Sequence, residues 1–184
     1  VNAAALTFSI VGIVVLFAAV ALAWYATRPG RHWFVTAGAV PILGAFVFSL
    51  ADIPVVHPAL ALLAAVGFVL LGTIGGSGFV SLVLDLAARD SVTLGAHGGI
   101  MVMSPAPVRE ILRGGAAIGY LERVAFIGSV LAGQPGGVAI IVAIKGLGRF
   151  SELENATARE RFIIGTLASL VWAGACTAAI AVGL

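Results

Sequence analysis

"AAALTFSIVGIVVLFAAVALAWY", residues 3 to 25, runs for 23 positions without a charged side chain. At 1.5 Å per residue a helix of that length reaches about 34 Å, enough to cross a hydrocarbon core about 30 Å thick. A cleaved signal peptide has a basic leader and an apolar core of only about 7–15 residues. No Lys or Arg precedes Ala3. The stretch therefore reads as a retained membrane span, and it sets the expectation for everything that follows.

The rest of the chain has the same character. Its composition is 61% hydrophobic and 10% charged, with a mean hydropathy of +1.15. Soluble domains carry about 25% charged residues. Too few polar side chains are present to coat a domain in water, so the bilayer is the expected solvent and first partner. A formal net charge of +2 without a basic cluster gives no reason to expect nucleic acid. Cys176 is the single cysteine, which excludes an internal disulfide and a Cys-based zinc cage. It lies in an apolar run and reads as a small packing residue.

Five more apolar stretches follow. The expected spans are about 3–25, 32–51, 58–78, 114–133, 137–150 and 162–184, with an interfacial connection over 79–113. Gln134-Pro135-Gly136-Gly137 is a strong turn between the fourth and fifth. Gly75-Gly76-Ser77-Gly78 is expected to loosen or end the third helix. Asp85 and Arg89, spaced i, i+4, would then pair on an amphipathic exit. The run "GGIMVMSPAP" at 98–107 reads as a packed loop.

The basic residues test this count. Arg28 and Arg31 fall in the first connection, Arg89, Arg109 and Arg113 in the third, and Arg159 and Arg161 in the fifth. Lys145, Arg149 and Arg123 lie towards the same side, while the second and fourth connections hold no Lys or Arg. The positive-inside rule makes that side cytoplasmic and leaves both termini outside. The expected fold is all-α, a single integral domain of six transmembrane helices in a bacterial inner membrane.

Chemistry-bearing motifs are sparse. "GGSG" at 75–78 matches the GxSG of rhomboid proteases, which are six-span proteins, but that chemistry needs a histidine to deprotonate the serine. His32, His57 and His97 all lie at span ends or in connections. A glycine-rich helix break outweighs a Ser77 or Ser77/Lys145 hydrolase. Asp52 and His57 beside Pro54 are too few for a metal site. No metal or cofactor is expected. Gly115 and Gly119, and likewise Gly165, Ser169 and Ala173, repeat at i+4 and let helix backbones approach. Internal packing is favoured over a dimer face.

One cluster departs from this pattern. Glu122 lies twelve residues before Gln134 and Lys145 eleven after it, so both sit about 16–18 Å below the turn. Lys145 and Arg149 share a helix face that can meet Glu122 in an antiparallel hairpin. Charges at that depth pair with one another and are functional candidates by default. Glu122, Arg123, Lys145 and Arg149 are therefore the candidate site. An ion pair fastening the hairpin is favoured over an ion or proton pathway.

"LRGGAAIGYLERVAF", "AIKGLGRFSEL" and "ERFIIGTLASL" resemble a group of uncharacterised small multi-pass bacterial membrane proteins of actinobacterial type. The resemblance covers about residues 112–172 and implies a membrane protein without implying a reaction. With no catalytic constellation in view, the expected function is that of a scaffold or subunit of a larger membrane assembly, with a membrane protein partner or a second copy. A small transporter or channel using Glu122, Lys145 and Arg149 ranks second, and a serine hydrolase third.

Overall fold

The computed structural model describes residues 3–50, 57–87, 100–101, 110–111, 115–148 and 156–183. Six α-helices dominate them: α1 Ala3–Tyr25, α2 Ala39–Leu50, α3 Pro58–Ala87, α4 Gly115–Leu131, α5 Gly137–Leu147 and α6 Ala156–Gly183. A 3-10 helix, His32–Gly38, runs straight into α2, and Ile100–Met101 pairs antiparallel with Glu110–Ile111. The fold is all-α apart from that two-residue ladder. Among the described residues, four helical segments are long and apolar enough to cross a membrane: α1, His32–Leu50, α3 and α6. The other two are shorter. At 1.5 Å per residue α4 reaches about 25 Å and α5 only about 16 Å.

The third helix is the axis of the bundle, and its glycines explain why. Gly67 faces Leu16 of α1, Gly72 faces Ile127 of α4 and Cys176 of α6, and Gly78 faces Ala26 and Val35. At Gly67 and Gly72 an added Cβ would come within 3.0 Å of a neighbouring side chain. Small residues at these places let α3 touch α1, α4 and α6 at once. The matched pairs also give direction: α1 runs parallel to α3, whereas α4 and α6 run antiparallel to it. With α5 returning against α4, alternate helices point opposite ways. The buried centre comprises Leu16, Val35, Phe68, Leu71, Trp172 and Cys176 among others.

Direction fixes which charges share an end. Arg28 and Arg31 lie just past α1, Asp85 near the end of α3, and Arg159 and Arg161 at the start of α6, so all occupy one end of the bundle. Gly30, with φ +73°, makes the turn there. The Arg31 guanidinium sits 4.4 Å from the Tyr25 ring centroid and that of Arg28 5.1 Å from it. His32 Nε2 lies 3.0 Å from Asp85 Oδ2, a close contact without hydrogen-bond geometry. At the opposite end His57 opens α3, its Nδ1 accepting the Ala59 N–H at 3.2 Å, with Pro58 in the first turn where no donor is needed.

One expectation needs correction. The third helix does not end at the glycine run: α3 continues unbroken through Gly75–Gly78 to Ala87. It therefore takes in the first part of the stretch expected as an interfacial connection. Of the expected fifth span, 137–150, α5 covers Gly137–Leu147 and Gly148 caps it, while Arg149 and Phe150 lie outside the described residues. Asp85 faces His32; its expected partner Arg89 lies outside the described residues, as do Asp52, His97, most of 98–107, Arg109 and Arg113. Outer faces remain apolar, with Leu43, Leu62, Leu121, Ile144, Leu147 and Val171 exposed. A water-facing surface would not expose so many large apolar side chains.

Candidate functional site: a buried arginine and an adjoining ion pair

Arg123 stands at the middle of α4, eight residues from each end. It is 3% exposed. Its Nε donates to the Thr73 carbonyl at 2.7 Å and its Nη2 to Ser77 Oγ at 2.8 Å, both on α3. Nη1 donates to Ser169 Oγ on α6 at 3.3 Å. Thr73 and Ser169 are also at the midpoints of their helices. The guanidinium thus crosses from α4 to two neighbours at half height. Each of these partners is neutral. A guanidinium stays charged in proteins, so the hydroxyls and the carbonyl replace the hydration it has lost.

The glycine run builds the room for this side chain. A methyl group at Gly76 would overlap Arg123, and one at Gly75 would meet the Trp172 ring at 2.8 Å. Trp172 in turn donates its indole N–H to the Leu71 carbonyl at 3.0 Å and stacks on Phe79, ring centroids 5.1 Å apart. Within four residues, then, Gly75 admits the indole, Gly76 admits the guanidinium and Ser77 binds it. Gly119, one turn before Arg123 on α4, also faces the guanidinium: a Cβ added there would lie 3.2 Å from Nη1.

Beside this centre, Lys145 Nζ of α5 forms an ion pair with Glu122 Oε2. The two side chains are 17% and 14% exposed. Lys145 Nζ also lies 5.8 Å from the Phe162 ring centroid of α6. Glu122 and Arg123, adjacent on α4, point to different partners: the carboxylate fastens α5 and the guanidinium fastens α3 and α6. Between α4, α5 and α6 is a cavity of about 10 Å³, lined by Glu122, Arg123, Lys145, Thr166, Ser169 and apolar neighbours.

Of the residues singled out in the sequence, Glu122, Arg123 and Lys145 lie together, and Ser169 joins them through Arg123. Arg149 lies outside the described residues. Gly165 rests near Val80 and Leu84 of α3, and Ala173 is fully buried, so the α6 stripe faces the interior. Gly115 opens α4. Ser77 accepts from Arg123, and Lys145 is engaged by Glu122, so the two are not joined as a nucleophile and its base. Sequence reading missed Thr73, Ser77 and Ser169 as partners of Arg123, along with Thr166. Hydroxyls in apolar helices usually bond their own backbone, as Thr7, Ser9, Ser81 and Thr177 do here to the carbonyl four residues back.

A second, larger groove of about 330 Å³ runs between α1, α2 and α3, with Gly12 and Gly44 leaving it open. Its walls are almost wholly apolar and hold no titratable side chain. Among the described residues no group of three or more His, Cys, Asp or Glu side chains is placed to hold a metal ion. Comparison with protein-family models, with curated proteins and with solved structures gave no match.

Proposed function

We propose that the chain is a non-catalytic, multi-pass protein of a bacterial inner membrane, acting as a scaffold or as a subunit of a larger membrane assembly. The observation that carries this reading is the use of its interior polar groups. Arg123 has committed its contacts to three neutral partners on α3 and α6, and Lys145 is tied to Glu122. The cavity beside them is about 10 Å³. Such a centre holds helices together; it offers neither a nucleophile with its base nor a passage for a solute. Copurification from native membranes in mild detergent tests the reading. A stoichiometric protein partner, or a stable homo-oligomer, is the expected result. A solitary chain that retains a bound small molecule would instead support a small transporter or channel built on Glu122 and Lys145.

The same reading includes topology. Arg28, Arg31, Arg159 and Arg161 at one end of the bundle support a cytoplasmic assignment for that end, with both termini outside. The α4–α5 hairpin leaves from and returns to that end, so it does not alter the sides of α1, α2, α3 and α6. With Cys176 buried, single added cysteines report cleanly. Gly183→Cys is expected to react with an impermeant thiol reagent added outside, and Thr27→Cys only after the membrane is opened. The reverse pattern would invert the assignment. Gln134→Cys decides whether the short hairpin crosses: six spans require its labelling from outside.

A further inference from the structure

Three polar atoms near the arginine have no partner, Thr73 Oγ1 among them, and the other two line one cavity. Glu122 uses Oε2 for Lys145, but Oε1 is buried and without a hydrogen bond. Thr166 Oγ1 is likewise buried and unpaired, on a residue only 9% exposed. Both residues line the 10 Å³ cavity, from α4 and α6. Nor does Thr166 take the carbonyl four residues back, as Thr177 does about three turns further along α6. A buried polar atom left unpaired is costly, and most such atoms in folded proteins are bonded to protein or ordered water.

We propose that this cavity is a binding site for one water molecule, which joins Glu122 Oε1 to Thr166 Oγ1. Size and chemistry both select it. A cavity of this volume is about the minimum that holds a water, and a bound water needs two to four polar partners. The carboxylate oxygen accepts only, while the threonine hydroxyl can donate. A ligand that donates to one and accepts from the other satisfies both. Ser169, whose oxygen accepts from Arg123 at 3.3 Å, keeps its hydroxyl hydrogen for a third bond. A metal cation is disfavoured by Arg123 and Lys145, which outnumber Glu122 around the site. An anion would meet the carboxylate oxygen. Water is the ligand that suits every wall, and it completes a polar layer running from α5 through α4 to α6. This assignment is independent of whether the chain works as a subunit or alone.

The sign of one substitution tests it. Thr166→Val keeps the shape and removes the hydroxyl. If the hydroxyl were an orphan, its loss would leave thermal stability unchanged or improved. With the water bridging, Thr166→Val should lower the Tm of the full chain in lipid nanodiscs by about 2–4 °C, the shift expected for one net hydrogen bond in a chain this long. Thr166→Ser should recover most of that loss. Glu122→Gln combined with Thr166→Val should lose less than the sum of the two, because no direct bond joins the residues and the water couples them. An unchanged or raised Tm for Thr166→Val, or strict additivity with Glu122→Gln, overturns the proposal. Stabilisation specific to sodium or to chloride at fixed ionic strength also overturns it, and assigns the cavity to that ion.

Discussion

Glu122→Gln is expected to lose about 3 kcal/mol of stability, measured by thermal or denaturant unfolding in a defined detergent or nanodisc. The substitution removes the counter-charge from Lys145 while leaving the ammonium largely enclosed by α4, α5 and α6. Breaking one side of a buried pair typically costs about 3–5 kcal/mol, most of it the expense of an uncompensated charge. The lower end is appropriate because polar contacts inside membranes measure weaker than expected, the unfolded chain finding partners too. Removing both charges has a different outcome. Glu122→Leu with Lys145→Met eliminates the stranded charge and keeps side-chain bulk, so the double variant should regain much of the loss. A double variant whose cost is the plain sum of the single costs would show that the ion pair contributes nothing to holding α5. Recovery of stability with an unaltered host fits a fastener, whereas recovery with a lost host phenotype would mean that the charges act in function.

At Arg123 the conservative replacement should be the harmful one. Arg123→Lys retains the charge but not the planar fork that reaches Thr73, Ser77 and Ser169 together. Its compact, strongly hydrated ammonium would be buried with fewer partners, and a loss of about 3 kcal/mol or more is expected, as for other stranded charges. Arg123→Met also forfeits the three bonds, yet it removes the desolvated charge and fills much of the same space. It should therefore cost less than Arg123→Lys. The ordering is what unfolding measurements check. A lysine variant as stable as wild type would mean that charge alone, without the fork geometry, is what this centre requires.

The long helices were legible because nothing interrupts them: α1 and most of α6 are charge-free runs, and length alone distinguishes them from soluble segments. The Glu122–Lys145 contact was legible for another reason. Both residues could be counted from the same turn, and antiparallel helices bring equal counts to equal heights. The glycine run misled because its local meaning and its tertiary meaning are opposed. Glycine costs a helix roughly 1 kcal/mol relative to alanine, so four residues rich in it read as a stop. Here Gly75 and Gly76 are where the Trp172 indole and the Arg123 guanidinium approach α3, and that packing outweighs the local penalty. Arg123 was flagged by its charge, but its partners were hidden. Ser77 and Ser169 lie 46 residues away on either side, and a lone serine in an apolar helix has no periodicity to mark it.

The partners of Arg123 also lie on both sides of it in the order of synthesis. Thr73 and Ser77 leave the ribosome before α4, but Ser169 follows much later, and Lys145 follows Glu122. On the proposed membrane placement, α4 would enter the bilayer while it carries two charges at mid-helix. Each such charge raises the insertion cost by about 2.5–3.5 kcal/mol on the translocon scale. α3, already in place, can offer Arg123 the Thr73 carbonyl and the Ser77 hydroxyl at once. Glu122 has to wait for α5. The hairpin is therefore expected to hold back at the membrane edge until Lys145 has been made, and to seat fully only when α6 closes over it. A nascent chain ending before Lys145 should leave α4 extractable, and one ending after Gly183 should not.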